Sequence, residues 1–254
     1  MHSPTHQFEL ISHLVRRDFR LHYTGSVLGV LWSVALPLIQ LLVFVFLFGK
    51  VVPLDIEDYP AFVFSALLPW TWFSSSAGSA GGLFTGNRDL LRRPNFAPAT
   101  LIVVNTLSNL LTYLVSLPIL LVMLALHGRP PTAAVLAFPL LVLFQGILLV
   151  GLGLAIATLN VFYRDVGHLT TVALSLLFYL IPIFYRPLEP GASYSGLLLW
   201  NPIARLIQGY RDIFFYQRAP DWESMVFCAA ASLVAAGAGY WIYLRQRPHV
   251  MDAL

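Results

Sequence analysis

Lysine is almost absent from this 254-residue chain, in which Lys50 is the only one. A phosphate-binding P-loop needs a lysine after its glycine-rich turn, followed by Ser or Thr. Gly49, Lys50 and Val51 provide neither the turn nor the hydroxyl group. The sequence therefore carries no nucleotide site of this kind, and any ATP-driven process that involves the chain must use a partner's site.

Charged residues are also scarce, at 11% of the chain, whereas apolar residues make up 58%. An ordinary soluble domain has roughly 25% charged and 45–50% apolar residues. A soluble core cannot accommodate this much apolar surface, so the membrane is the expected solvent. We predict a single all-α domain, a polytopic integral membrane protein with six spans of about 20 apolar residues each. The predicted spans are 27–48, 61–83, 99–126, 134–160, 169–185 and 224–244.

None of the six predicted spans contains Asp, Glu, Lys or Arg. Pumps and ion-coupled carriers usually hold such groups at mid-membrane, so this class is disfavoured. The seven histidines lie outside the spans, and the sequence has no HExxH motif and no paired carboxylates. We therefore expect no catalytic residue and no metal site. The single cysteine, Cys228, excludes an intrachain disulfide.

Basic residues are distributed unequally between the two sides of the predicted bundle. Six spans place both termini on one side, which holds nine of the 15 basic residues, and the other side holds six. Four of those six lie in the long connection 186–223, and the positive-inside rule counts basic residues in short loops. Without that connection, the two sides hold nine and two basic residues. The positive-inside rule then places both termini in the cytoplasm. We expect the first span to direct insertion without a cleavable signal, and the nine basic residues require no nucleic-acid partner.

Two segments outside the spans have unusual apolar patterns. Residues 7–23 carry one apolar and one basic face at helical spacing, which predicts an amphipathic helix at an anionic leaflet. This helix is either a topology anchor or an entry point for a lipid substrate. Segment 186–223 is too apolar for a water-exposed loop and is broken by Pro202 and Gly209. It predicts two short re-entrant helices that form a gate in the outer half of the membrane.

The inside connection 85–98 carries three arginines and one acidic residue. Topology alone needs only the arginines, but Leu90 and Leu91 add an apolar pair that we interpret as exposed. The pattern favours a short amphipathic helix that fits a groove of another protein. In the next inside loop, Arg164 and Asp165 are either a second contact or a local ion pair.

A run of small residues, 74–82, lies within the second predicted span. Gly78 and Gly82 have the GxxxG spacing that favours close packing of helices in a membrane. The run contains no lysine and follows no strand, so we interpret it as a packing surface and not as a phosphate loop.

Five stretches of the sequence are recognisable in order along nearly the whole chain. The second reads LPWTWFS at 68–74, and the fourth reads NVFYRDVGHL at 160–169. The others are RDFR, Tyr23, GSVLGVLWS and Pro37-Leu38 within 17–38, the segment 87–98, and IFY, NP and GYR within 183–211. Together these motifs resemble the ABC-2 type polysaccharide export permease family.

The resemblance implies a bacterial inner-membrane subunit that forms a homodimer and docks two copies of a nucleotide-binding ATPase. It implies export of lipid-linked polysaccharide of the O-antigen, capsule or teichoic-acid type. ATP and magnesium would be bound by the ATPase, and this chain would hold no cofactor. In this family the segment at 85–98 is a coupling helix. The residues to which the resemblance gives contact with the ATPase are Arg88, Asp89, Arg92, Arg93 and Phe96. Arg164 and Asp165 of the next inside loop are added as the second candidate contact.

Substrate contacts follow from the chemistry of a glycolipid. Sugar rings stack on aromatic faces, and the candidates in the second and fifth spans are Trp70, Trp72, Phe73, Tyr179, Phe184 and Tyr185. An aromatic belt that anchors the span ends is the alternative for these residues. A pyrophosphate head group needs cations, and arginine forks suit phosphate oxygens. The available set is Arg16, Arg17 and Arg20, with Tyr23 beside them, and binding of anionic membrane lipid is the alternative.

Two other functions fit part of this pattern. An ABC-2 exporter of a drug or small lipid would have a narrower and less aromatic pathway. A non-transporting scaffold in envelope assembly would need no ATPase.

Overall fold

A computed structural model of the chain describes residues 12–15, 31–51, 54–92, 96–186 and 200–253. Within these ranges the chain consists of helices joined by short connections, with no β-strand. The long helices are α1 (Leu31–Phe46, continued by a π-helical turn Leu47–Val51), α2 (Tyr59–Gly86), α3 (Ala99–Leu126), α4 (Phe138–Phe162, after a 3₁₀ turn Ala133–Ala137), α5 (Asp165–Leu180), α6 (Pro202–Phe214) and α7 (Trp222–Ala253).

The predicted all-α class is confirmed, and each predicted span coincides with one of these helices. Three of the described helical stretches are long and apolar enough to cross a membrane: Ala99–Leu126, Ala133–Phe162 and Trp222–Arg247. Ala35–Val51 and Asp165–Leu180 are apolar but shorter. Helix α2 has sufficient length, but the Ser and Gly residues of its second half lower its hydropathy. The count of six spans stays a prediction.

Helix α2 lies at the centre of the bundle, where it packs against α1, α3, α4, α5 and α6. From Ala61 to Trp70 all of its side chains are buried. A helix that is apolar on every side is stable only inside a protein or a membrane. The first half of α2 therefore forms the core around which the other helices are arranged.

Arg129 joins three elements at one end of the bundle, which we call the Arg129 end. Its Nε donates to Asp58 Oδ2 at 3.0 Å, and its Nη1 donates to the carbonyl oxygen of Phe215 at 3.2 Å. The guanidinium carbon also lies 4.5 Å from the centre of the Phe215 ring. The start of α2, the turn after α3 and the end of α6 therefore meet here.

A separate apolar cluster closes the opposite end, which we call the Leu91 end. Its buried members include Phe84 at the end of α2, Leu101 at the start of α3, and Tyr243 and Val250 in the second half of α7. Helices α2 and α7 thus run from the Arg129 end to the Leu91 end, and α3 returns. This alternation is the arrangement that successive crossings of a membrane require.

The closest approach of two helices occurs between α4 and α7. A Cβ atom on Gly151 would lie 2.5 Å from the carbonyl carbon of Ala235, and one on Gly239 would overlap the carbonyl oxygen of Gly151. By contrast, a Cβ on Gly82 would meet no atom within 4 Å, and the nearest atom to one on Gly78 would be 3.5 Å away. Within the described part of this chain no other helix packs closely on Gly78 or Gly82, so a close contact through these glycines stays a prediction for a partner helix outside the chain.

The fifth predicted span ends too late in the chain. Helix α5 stops at Leu180, and Ile181 is extended, with φ −81° and ψ 138°. The residue before a proline is sterically driven out of the helical region, and Pro182 follows Ile181 directly. The proline therefore sets the helix end.

The predicted break at Gly209 is wrong, whereas the predicted break at Pro202 agrees with the structure, in which a helix starts there. Pro202 is the first residue of α6, and the Asn201 side chain accepts hydrogen bonds from the backbone N–H groups of Ile203 and Ala204. Proline is favoured at this position because its missing N–H would have no helical partner. Gly209 lies within the helix and gives α6 close access to Leu141. Residues 187–199 lie outside the described ranges, so the second predicted helix is untested.

Candidate functional site

A groove of about 470 Å³ lies between α1, α2 and α5. Its wall combines hydroxyl, amide and aromatic side chains within helices that are otherwise apolar. The lining residues are Gln40, Trp70, Thr71, Ser74, Gly78, Thr171, Leu174, Ser175, Phe178 and Tyr179. We call this surface the α1–α2–α5 groove.

The groove exists because α2 carries small residues where α5 passes it. The nearest approach of α5 to Gly78 is made by the Leu174 side chain and leaves room for an ordinary van der Waals contact. The hydroxyls of Ser74 and Ser175 donate to carbonyl oxygens of their own helices, at 3.3 and 3.0 Å. A hydroxyl group has one donor and two acceptor positions. The oxygens therefore remain able to accept hydrogen bonds from a ligand in the groove.

Helix α5 has two different exposed sides. On one side the exposed residues are polar or amphipathic and recur at steps of three and four: His168, Thr171, Ser175 and Tyr179. On the other side they are aliphatic: Leu169, Val172, Leu176 and Leu180. Since the polar side borders the groove, the aliphatic side is the one suited to lipid.

Two of the predicted aromatic contacts line this groove. Trp70 forms part of its base and packs against Phe178, with ring centres 5.8 Å apart. Tyr179 is 66% exposed at its edge. Phe184 and Tyr185 belong to the adjoining aromatic cluster, in which Phe184 packs against Phe178.

Trp72 and Phe73 are core residues and do not line this groove. Trp72 is 2% exposed, its Nε1 donates to the carbonyl oxygen of Thr106 at 3.0 Å, and its ring stacks on Tyr113. Phe73 is 3% exposed. Because Trp72 faces α3, its partners are the protein's own groups, so the structure gives it a packing role.

We expect Trp72→Ala to destabilise the protein and Tyr179→Ala to leave its stability close to that of the wild type. Truncating a buried Trp typically costs about 3–5 kcal/mol of folding free energy. Tyr179 has little packing to lose because most of its side chain is exposed. Thermal unfolding of the two purified variants in one detergent checks this. Equal melting temperatures would contradict the assignment of Trp72 to the core.

The predicted contact surface for the ATPase lies at the Leu91 end. A single helical turn, Arg88–Leu91, exposes Arg88 and Asp89, and Arg92 follows in an exposed position. Leu91 is buried in the apolar cluster of this end, so its predicted exposure is wrong. The apolar side of the segment therefore serves the chain's own fold, and the charged side faces outward.

The remaining members of the predicted surface are near the same end of the bundle. Phe96 packs against the apolar cluster of the Leu91 end. Arg164 and Asp165 are exposed between α4 and α5. Within the described part of the chain, ion pairs join Arg129 and Arg218 to acidic residues, and none joins Arg164 to Asp165. Arg93 lies outside the described residues.

The predicted head-group residues Arg16, Arg17, Arg20 and Tyr23 also lie outside the described residues. Of the predicted interface helix 7–23, the structure describes residues 12–15, which are helical. In the described ranges no group of three or more His, Cys, Asp or Glu residues could hold a metal ion.

Sequence reasoning missed the hydroxyl groups of the groove. Thr171 and Ser175 are spaced four residues apart within an apolar helix, and Thr71 and Ser74 are spaced three apart. This repeat is the signal that could have identified a polar stripe.

Sequence reasoning also treated Arg211 only as one charge of an outer connection. Arg211 is fully buried, and its Nη2 donates to the carbonyl oxygen of Ile183 at 2.8 Å. Its guanidinium carbon lies 3.9 Å from the centre of the Phe62 ring. Burial lowers the pKa of Arg211 to about 10, against the opposing influence of Tyr216 and Asp212. The residue thus stays cationic at neutral pH and fastens the segment after α5 to α2 and α6.

Comparison with known proteins identifies the family of this chain. The family model of the ABC-2 type transporter matches residues 9–215. The chain belongs to the ABC-2 type transporter family. The resemblance seen in the sequence motifs is therefore confirmed at the level of the family.

Several curated proteins are similar to this ABC-2 chain over almost its whole length. The O-antigen export system permease protein RfbA of Myxococcus xanthus is 34% identical over 247 residues, which cover 96% of this chain and 95% of that protein. An RfbA of Klebsiella pneumoniae is 31% identical over 242 residues, 94% of this chain and 93% of that protein. The polysialic acid transport protein KpsM of Escherichia coli is 24% identical over 243 residues, again 94% and 93%.

Proposed function

We propose that this ABC-2 chain is the transmembrane permease subunit of an ATP-driven exporter of lipid-linked polysaccharide. The substrate class is O-antigen, capsule or teichoic-acid polymer, moved from the cytoplasm across the bacterial inner membrane. The names of the similar proteins, O-antigen export permease and polysialic acid transport protein, support this class.

The observation that carries the proposal is the lining of the α1–α2–α5 groove. A polysaccharide presents hydroxyl groups at its edges and weakly apolar faces on its rings. The groove offers hydroxyl groups on α2 and α5 for the edges and the Trp70, Phe178 and Tyr179 aromatics for the faces. It holds no fixed charge, so it can bind successive sugars without trapping any one of them.

A second copy of the chain would complete the pathway. Polar groups exposed on a helix inside a membrane are costly when they face lipid and are tolerated when they line a protein-enclosed cavity. The polar side of α5 and the exposed Ser75 and Ser79 of α2 would be covered if two copies faced each other across the groove. The pathway would then have a wall from each subunit.

The orientation of the chain in the membrane follows from six spans with both termini in the cytoplasm. In that arrangement the Leu91 end faces the cytoplasm, where an ATPase can reach Arg88, Asp89, Arg92 and the Arg164–Asp165 pair. Helix α6 would then be part of the outer gate region at the Arg129 end. Arg16, Arg17, Arg20 and Tyr23 would receive the pyrophosphate head group from the cytoplasmic leaflet.

The competing proposal within the family is an exporter of drugs or small lipids. A volume of about 470 Å³ falls in the range of small-molecule pockets, so size alone does not separate the two. The lining distinguishes the two kinds of substrate, because a small lipid or apolar drug has few groups that could form hydrogen bonds with the hydroxyl groups of the groove. We therefore favour the polysaccharide.

The decisive experiment is ATP hydrolysis in proteoliposomes that contain the chain and its candidate ATPase. We expect hydrolysis stimulated by polymer in the pair and none with the chain alone. Arg92→Glu with Arg93→Glu should reduce the stimulated rate by more than about tenfold, because like charges brought together at an interface cost several kcal/mol. The matched control is Arg186→Glu, an exposed arginine after α5 near the start of α2, away from the Leu91 end.

Two results would contradict the proposal. The first is a pair that does not associate while polymer still reaches the cell surface in a strain without the chain, which would favour the envelope scaffold. The second is stimulation by a small lipid or drug and not by polymer.

A further inference from the structure

Helix α5 forms one wall of the groove, although none of its residues is buried. Its contacts with α2 are made along one edge, chiefly through Gly167, Leu174 and Phe178. A helix with so little buried surface is only weakly fixed by apolar packing, because that stabilisation scales with the area removed from water or lipid. A specific polar contact at its Leu91 end therefore contributes to holding it in position.

The side chain of Asn160 makes such a contact at the Leu91 end. Asn160 lies in the last turn of α4, its Nδ2 donates to the carbonyl oxygen of Gly81 in α2 at 2.9 Å, and its Oδ1 accepts from the backbone N–H of Gly167 in α5 at 2.8 Å. One amide group thus joins the backbones of two other helices to its own. Hydrogen bonds of this kind are a main source of helix association in membranes.

The surrounding residues are shaped to this amide. A Cβ atom on Gly81 would lie 3.3 Å from Gly167 Cα, and one on Gly167 would lie 3.0 Å from Asn160 Oδ1. Both distances are tighter than ordinary contacts, so the three helices approach this closely only with glycine at both positions.

This contact lies between the predicted ATPase-facing surface at the Leu91 end and the α1–α2–α5 groove. Gly81 precedes the Arg88–Leu91 turn by about two helical turns, and Gly167 follows Asp165 by two residues. On the other side of the contact, Gly78 and Leu174 already line the groove. The contact therefore couples the two helices that lead from the charged surface at the Leu91 end to the groove.

We propose that Asn160 is a positioning residue that transmits displacement of the ATPase-facing surface to α5, the movable wall of the groove. The amide makes the ends of α2, α4 and α5 one unit, so movement of the Arg88–Leu91 turn shifts α5 as a whole. This inference rests on the proposed function, because it assumes an ATPase that moves the surface.

Two substitutions at Asn160 test its two hydrogen bonds, because one variant removes a single bond and the other removes both. Asn160→Asp keeps the size and the acceptor for Gly167 but loses the donor to Gly81, and its charge repels that carbonyl oxygen. Asn160→Leu has a similar shape and loses both bonds. The matched control is Asn109→Leu, since the Asn109 amide donates to the Asn105 carbonyl oxygen of its own helix and joins no two helices.

The measurement is the amount of polymer exported per ATP hydrolysed in proteoliposomes that contain the intact chain–ATPase complex. We expect this ratio to fall by more than about tenfold in both Asn160 variants and to stay within about twofold of wild type in Asn109→Leu. ATPase association and basal hydrolysis should persist, a combination that a merely unfolded protein would not give.

A second measurement tests the contact between α2, α4 and α5 in the absence of transport. Spin labels on cysteines at Gly82 and Val172, both exposed, in a Cys228→Ser background report the distance between α2 and α5. The distance distribution should broaden in Asn160→Leu. A wild-type distribution and a wild-type transport ratio in both Asn160 variants would overturn the inference alone. Absence of polymer-stimulated hydrolysis in the wild-type pair would overturn the proposed function and the inference with it.

Discussion

Replacing Gly239 by leucine is expected to prevent this protein from folding. At Gly239 the backbones of α4 and α7 touch, and any Cβ atom would overlap the carbonyl oxygen of Gly151. Overpacking a rigid contact costs about 1–3 kcal/mol or more for added methylene groups, and here the obstacle is backbone that cannot rotate away. Net folding stabilities are only about 5–15 kcal/mol. We therefore expect no monodisperse protein in detergent after membrane extraction.

The same helix provides a matched control for this prediction. A Cβ atom on Gly237 would meet no other atom within 4 Å. Gly237→Leu introduces the same side chain two residues away and should give a size-exclusion profile like that of the wild type. If Gly239→Leu and Gly237→Leu behaved alike, the close crossing of α4 and α7 would be wrong.

This crossing also shows the limit of pattern reading in membrane helices. The GxxxG spacing of Gly78 and Gly82 satisfies the usual rule for close packing, yet these glycines face open space. The residues that pack closely are in α4 and α7, where Ala235 and Gly239 have the same spacing. Spacing identifies candidate faces, but the partner helix decides which of them is used.

The helices themselves could be predicted because long apolar runs leave few alternatives in a membrane. Rotation of each helix about its axis could not, as α2 illustrates. Its first half is apolar on all sides, so no periodic difference separates the face of Trp70 from that of Trp72. Only tertiary packing turns the first toward the groove and the second toward α3.

Single polar residues are the other element that sequence reasoning could not place. Asn160 is the last residue of the fourth predicted span, and Arg211 lies in the predicted outer connection 186–223, so the sequence assigned a partner to neither. Their roles depend on the carbonyl oxygens of Gly81 and Ile183, which are far away in the sequence. A backbone acceptor leaves no trace in residue type, so the sequence contains no signal for such contacts. By contrast, the hydroxyl groups of the groove leave a trace in their spacing of three and four residues.

Placing tryptophan at Gly78 is expected to block export without disturbing assembly. Gly78 lines the α1–α2–α5 groove, and a Cβ atom there would touch only Leu174, at an ordinary contact distance. The indole must then extend into the groove, where it occupies the space that we assign to sugars. Polymer export should fall by more than about tenfold, equivalent to roughly 1.4 kcal/mol in the barrier to passage. The ATPase should still bind, because the Leu91 end is unchanged.

Leu176→Trp is the control that makes this result specific to the groove. Leu176 lies on the exposed aliphatic side of α5 and does not line the groove. It receives the same bulky side chain without filling the pathway, and export should stay within about twofold of wild type. Surface polymer in cells and polymer flux in proteoliposomes measure both variants. Equal export by Gly78→Trp and wild type would mean that the polymer takes another route. A pathway lined by Ser74, Ser175 and Tyr179 could not accommodate both a chain of sugars and an indole at its centre.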